Sequence, residues 1–154
     1  MSPIESRLQS LGIDLPTPLA PVANYVPFVA SAGLTYISGQ VSSGPGGGVK
    51  GVVGDDLDIE AGQAAARLCA VNLLSQMRLA ADGDLRRVRR VVKLGAFVQC
   101  AAGFTEIPAV ANGCSDLLVE VLGAAGKHAR SAVGVYSLPL GYAVEVDAVV
   151  EFAF

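Results

Sequence analysis

The spacing of apolar positions switches between a helical and a strand period several times along the chain. Ile4, Leu8 and Leu11 share one helical face and Gly12 follows as a C-cap, which predicts a short first helix. Pro16, Pro18 and Pro21 predict an extended, irregular arm. Residues 25–31 and 34–41 read as two strands around Ala32-Gly33, a two-residue connection that signals a hairpin, and Pro27 marks the first as an edge. Ser42–Gly48, with four glycines, reads as a flexible loop, and Val49–Val53 as a short return strand. Asp55, Asp56 and Asp58 stand where acids favour a helix start, and Ala61, Ala64, Ala65, Leu68, Val71, Leu74 and Leu79 keep helical spacing until Asp82-Gly83-Asp84. A strand over 88–101, a helix over 104–124, a strand over 129–136, a turn at Ser137–Gly141 and a strand over 142–154 complete the reading.

This order predicts an α+β domain spanning 1–154, with residues 1–23 as a helix and extended arm and two long helices on one face of a mixed sheet. Along the last strand Val144, Val146, Ala148 and Val150 lie on one face, while Glu145, Asp147, Val149 and Glu151 lie on the other. If helices cover the first face, the second must be solvated or meet a partner. Composition sharpens that choice. Apolar residues make up 52% of the chain and charged residues only 16%, so little charge is available to cover the surface, and self-association is expected.

A net charge of −3 supplies no positive field for nucleic acid. Cys69, Cys100 and Cys114 are an odd number at wide spacings, with His128 the lone histidine, so no zinc site is legible and free thiols in a reducing, cytoplasmic setting are expected. The first residues lack the apolar core of a signal peptide, and the longest apolar runs are strand-sized, so no membrane is expected.

Few residues invite chemistry. Arg130 opens an apolar strand, and a guanidinium is well shaped to take a carboxylate through two parallel hydrogen bonds; the plainer reading is an arginine snorkelling at a strand end. If Ser137–Gly141 turns a hairpin, Arg130 and Glu145 fall on neighbouring strands, where Glu145 could activate a water or simply pair with the arginine. Ser38-Gly39-Gln40 ends the second strand, and Gly39 permits close approach by a chain or ligand. Gly44–Gly48 lacks the Lys-Ser/Thr pair of a phosphate loop. Arg86, Arg87, Arg89, Arg90 and Lys93 cluster without aromatic residues to stack bases, which favours a solvated strand entrance or pairing with a neighbour's acids. His128 has no acid or hydroxyl partner at a recognisable spacing.

Two stretches together resemble a known family. Tyr36-Ile37-Ser38-Gly39-Gln40-Val41, and Arg130-Ser131-Ala132-Val133-Gly134-Val135 through Leu138-Pro139 to Val144-Glu145-Val146-Asp147-Ala148, look like the two signatures of the Rid (YjgF) imine deaminases, once labelled endoribonuclease L-PSP or translation inhibitor proteins. The likeness runs from about Asn24 to Glu151, and the extra length resembles a longer subgroup. It implies a chorismate-mutase-like fold and a homotrimer whose sheets form a central barrel, with ligand clefts between subunits and no cofactor. By the same resemblance Arg130 binds a 2-imino or 2-keto carboxylate, Glu145 orients the attacking water, and Tyr25, Ser38, Gly39 and Asn112 line the cleft. Ala132 stands where the family often has cysteine, so backbone contacts survive there and a thiol role does not. Three readings follow: hydrolysis of imino or enamine acids such as 2-aminoacrylate, non-catalytic binding of a keto acid, and ribonuclease activity. The acidic charge and the missing histidine pair argue against the last.

Overall fold

The computed structural model describes residues 1–18 and 23–154; Pro21 of the expected arm lies outside them. Helix α1 (Pro3–Ser10) starts where Ser2 accepts the Glu5 amide on its hydroxyl and Pro3 supplies a ready-made first turn. Gly12 ends it at a φ of 68°, a left-handed conformation that costs glycine little. Leu8 is buried, and Arg7 donates to the Val121 carbonyl at 3.0 Å, which ties this helix to the rest of the chain.

Strands β1 (Phe28–Ser31) and β2 (Leu34–Val41) form the expected hairpin. The first strand is shorter than its apolar run, because Pro27 has no amide proton to give a neighbour. The expected return strand over Val49–Val53 does not form, since this stretch makes only single bridges from Lys50 to Tyr142 and from Val53 to Leu57 and Cys100. Asp58 caps α2 (Ile59–Ala80) by accepting the Ala61 amide at 2.8 Å. Strand β3 (Val88–Gln99) leads into α3 (Ile107–Leu122), which begins three residues later than the 104 expected because Pro108 pins its first turn. Strands β4 (Ala129–Val135) and β5 (Val144–Phe152) end the fold.

The five strands are ordered β1-β2-β5-β3-β4. All neighbours are antiparallel except β3 and β4, so the sheet is mixed, as expected. Both long helices lie on one face. Leu73, Leu74 and Met77 of α2 and Val110, Leu117, Leu118 and Val121 of α3 meet Val144, Val146, Ala148 and Val150 of β5 in one fully desolvated core. Helix α3 with its following turn, Ile107–Gly126, is long and apolar enough by length and composition to cross a membrane, unlike the short runs expected; its apolar stripe is spent on this core. The helices approach closely at Gly113, where any side chain would collide with the Gln63 carbonyl.

The opposite face is bare. Register puts Val29, Tyr36, Val149, Phe97 and Val133 on it, and Val29, Tyr36 and Val133 are each about half exposed (52%, 49% and 47%).

The Ser137–Gly141 turn does not make a β4–β5 hairpin. Strand β4 runs parallel to β3 on one edge, β5 is antiparallel on the other, and the connection crosses the end of β3. Gln99 grips that crossing from the end of β3. Its Nε2 donates to the Gly51 carbonyl at 2.8 Å and its Oε1 accepts the Leu138 amide at 2.7 Å, while the residue is only 6% exposed. Substituting Gln99→Leu strands both backbone groups, and the expected loss is about 2–4 kcal/mol of stability in urea denaturation.

Candidate functional site

The sequence-marked residues separate into two groups. The first lies at the β4 edge, on the helix-bearing face. Arg130 stands level with Leu94, and its Nη1 donates to Asn112 Oδ1 at 2.9 Å and to Ser115 Oγ at 3.1 Å. Asn112 and Ser115 sit three residues apart on α3 and so share one helical face. A hydrogen-bond chain continues behind them: Ser115 Oγ lies 2.8 Å from His128 Nε2, and His128 Nδ1 lies 2.6 Å from the Gly126 carbonyl. A carbonyl only accepts, so Nδ1 carries the proton; in the neutral ring Nε2 then accepts from the serine hydroxyl, and the serine oxygen accepts from Arg130. The hydroxyl partner of His128, not legible from spacing, is therefore Ser115.

Among the described residues, Arg130 Nε and Nη2 make no hydrogen bond and the guanidinium has no ion pair. One side of the guanidinium is held by α3 and two donors remain for a ligand. That geometry suits a carboxylate. Ala132 follows on the same face, level with Ala96. Burial pushes the nearby Cys114 thiol up to about 12, against the opposing pull of Arg130, which makes that sulfur inert.

The second group lies across the sheet. The β2–β5 register slips between Ile37 and Gln40, so Ser38 and Gly39 together face Asp147 as a bulge. Ser38 is pinned there, its hydroxyl donating to the Val26 carbonyl and its amide to the Pro27 carbonyl, each at 2.9 Å. Those bonds also hold the segment carrying Tyr25, which is exposed. At Gly39 an added Cβ would sit 2.5 Å from Glu145 Oε2: the missing side chain is what lets the carboxylate lie over β2. Gly95 on β3 makes the same space for Asp147, whose Oδ1 accepts the Gly95 amide at 3.1 Å. Burial raises the Glu145 carboxyl above its ordinary range, and the neighbouring Asp147 charge raises it further.

Arg130 and Glu145 do not fall on neighbouring strands. Strand β3 lies between theirs, and Arg130 is level through Leu94 with Ala148, three residues from Glu145. Two strand spacings and three residue rises amount to roughly 14 Å, and the side chains leave opposite faces. The structure thus brings Asn112 to Arg130, and Gly39 to Glu145 with Ser38 beside it in the bulge, but keeps the two sets apart within one chain.

The basic cluster makes ion pairs with the chain's own acids: Arg86 with Asp84 at 2.9 Å, Arg87 with Asp82 at 3.2 Å and Arg89 with Glu151 at 3.7 Å. Among the described residues no three acid, histidine or cysteine side chains are placed to hold a metal ion.

A family model described as "YjgF/chorismate-mutase-like, putative endoribonuclease" matches residues 5–151. Protein TCP17 of Trypanosoma cruzi is 52% identical over 150 residues, covering 96% of this chain and 93% of that protein. Among solved structures, Atu1372 of Agrobacterium tumefaciens, itself of unknown function, is 49% identical with a TM-score of 0.90, over 97% of this chain and 94% of that one. A Shewanella oneidensis protein carrying the endoribonuclease label is 31% identical with a TM-score of 0.92, over 98% and 100%. With both signature stretches in place on this mixed sheet, the chain belongs to the YjgF/chorismate-mutase-like family.

Proposed function

We propose that this protein hydrolyses reactive 2-imino and enamine acids to 2-keto acids and ammonia, in clefts between the subunits of a homotrimer. The split site carries the reading. An arginine with two unspent donors stands at one edge of the sheet, and a half-buried carboxylate lies on the other face. One small carboxylate can meet both only if a second copy brings its Glu145 to the Arg130 edge. The bare apolar face gives copies a reason to associate. Escherichia coli TdcF, alike in fold alone at 20% identity (TM-score 0.62, over 89% of this chain and 94% of that one), has been solved with bound serine, a small molecule with such a carboxylate.

In this reading Arg130 takes the substrate carboxylate through Nε and Nη2. Asn112 and Ser115 already hold its guanidinium, so little side-chain freedom is lost on binding. Glu145 of the neighbouring copy accepts a proton from water as the oxygen adds to the imine carbon. The C=N bond becomes a single bond, and its nitrogen takes up the proton that Glu145 removed from the water. In the resulting carbinolamine the hydroxyl proton passes through Glu145 to the amino nitrogen, the C–N bond breaks with its electron pair going to nitrogen, and ammonia and the 2-keto acid are left. With Ala132 in the family's cysteine position, catalysis rests on positioning and on Glu145.

An amino-acid oxidase can generate imino acids in situ while semicarbazide traps what remains. Wild type lowers the trapped imine, and Arg130→Ala slows turnover by about 100-fold or more. Saturable keto-acid binding by a wild type that turns nothing over would make the site a receptor instead. RNA cleavage abolished by Arg130→Ala would restore the nuclease label. The base must be ionised, so kcat/KM falls as pH drops through the raised Glu145 pKa, and Asp147→Asn, which removes a repelling charge, moves that limb to lower pH. Co-expressed Arg130→Ala and Glu145→Gln chains recover roughly a quarter of wild-type activity, since mixed interfaces pair the two intact residues; no recovery means that both act from the same chain.

A further inference from the structure

The hydrogen-bond chain behind Arg130 ends in a titratable group that the proposed reaction leaves unused. In its neutral form His128 spends its one ring proton on the Gly126 carbonyl and takes the Ser115 hydroxyl hydrogen at Nε2. Ser115 then turns only lone pairs toward Arg130, and Nη1 occupies one of them. A second proton on the ring goes to Nε2. The bond to Ser115 must then reverse, because an imidazolium only donates. The serine oxygen accepts from Nε2 and from Nη1, and its own hydrogen is set free beside the guanidinium.

Protonation thus adds a positive charge and an uncommitted donor to the same spot. A single oxygen separates the imidazole nitrogen from the guanidinium, at 2.8 Å from one and 3.1 Å from the other, so the two cations repel unless an anion lies near. The charged side chains on the elements around the ring are Lys127 before it, Arg130 on β4, Lys93 on β3, Arg7 on α1, and Asp116 and Glu120 on α3. Among the described residues neither acid makes an ion pair with His128 or with Arg130. The chain therefore supplies no paired counter-charge here, and a carboxylate on the free donors of Arg130 supplies one.

We infer that His128 is the proton-linked part of the carboxylate site: an anion binding at Arg130 draws a proton onto the ring, and the site holds 2-keto and 2-imino acids more tightly as pH falls through the titration of His128. His128 is a positioning residue that acts through Ser115. The inference rests on the carboxylate-binding role proposed above for Arg130 but not on the composite cleft, since Arg130, Ser115 and His128 belong to one chain. Linkage makes the effect reciprocal: the factor by which the proton tightens anion binding is the factor by which the anion tightens proton binding. Acid that protonates Glu145 and stops turnover then also tightens the hold on the ligand, which leaves the site filled and idle.

His128 is the only histidine, so in untagged full-length protein every histidine ring signal in a nuclear magnetic resonance spectrum belongs to it. The ligand for the test is pyruvate, which stays ionised throughout. At a fixed pH near 6.5, saturating pyruvate should move the ring signals toward imidazolium. Calorimetry in two buffers of different ionisation heat should show proton uptake on binding, and affinity should rise about fivefold from pH 8 to pH 5.5. His128→Gln keeps a neutral polar group beside Ser115 and should lose most of the rise. Glu145→Gln removes the other carboxylate placed near the ligand and should keep it. Ring signals that do not respond to bound pyruvate overturn the inference, and that reading needs no variant to fold. A rise that survives His128→Gln and vanishes in Glu145→Gln assigns the proton to Glu145 and overturns it too. Arg130→Ala separates the two proposals. If pyruvate binds Arg130→Ala as tightly as wild type, or binds neither, the carboxylate site itself fails and the inference falls with it. If binding needs Arg130 while the ring stays silent, the site stands and only the proton linkage fails.

Discussion

The parallel pairing of β4 along one edge of β3, with β5 antiparallel along the other, is the constraint from which the remaining geometry follows. Parallel neighbours cannot be joined by a tight turn, so α3 makes the crossover and must lie against the sheet beside β4. That position sets Asn112 and Ser115 next to Arg130. The same pairing forces the chain after β4 to cross the end of β3, where a buried glutamine replaces the backbone ladder that a hairpin would have had. It also leaves β5 between β2 and β3, with its carboxylates flanked by strands on both sides.

Much of this was legible from periodicity. Strand β5 and the two long helices each bury one face, and burial imposes a spacing that survives in the residues. Strand order was not. The five residues Ser137–Gly141 look like a turn and are one, but which edges a turn joins depends on pairings far away in sequence. Arg130 and Glu145 could therefore be marked as unusual while their relation was misjudged. Ser115 did carry a signal, three residues after Asn112 on a helix, whereas its bond to His128 spans a helix end and a strand start and leaves no spacing to recognise.

The two groups also differ electrically. Arg130 is a cation held in place by neutral oxygens, so its charge stays available. Glu145 is a carboxylate kept short of water beside another carboxylate, so ionising it is unfavourable. Each would gain from the other's presence, and neither can reach the other within its own chain.

Gly39 and Gly95 have ordinary backbone angles, and it is the carboxylates of β5 that occupy the space where their side chains would be. Their identity is thus conditional on another strand. A descendant that first lost the Glu145 carboxylate could later accept alanine at position 39, because the space would then be empty. One that took alanine first would expel the carboxylate from its place. The two changes reach the same pair of residues by routes of unequal fitness, so the order of substitution, and not the backbone, decides whether position 39 can drift.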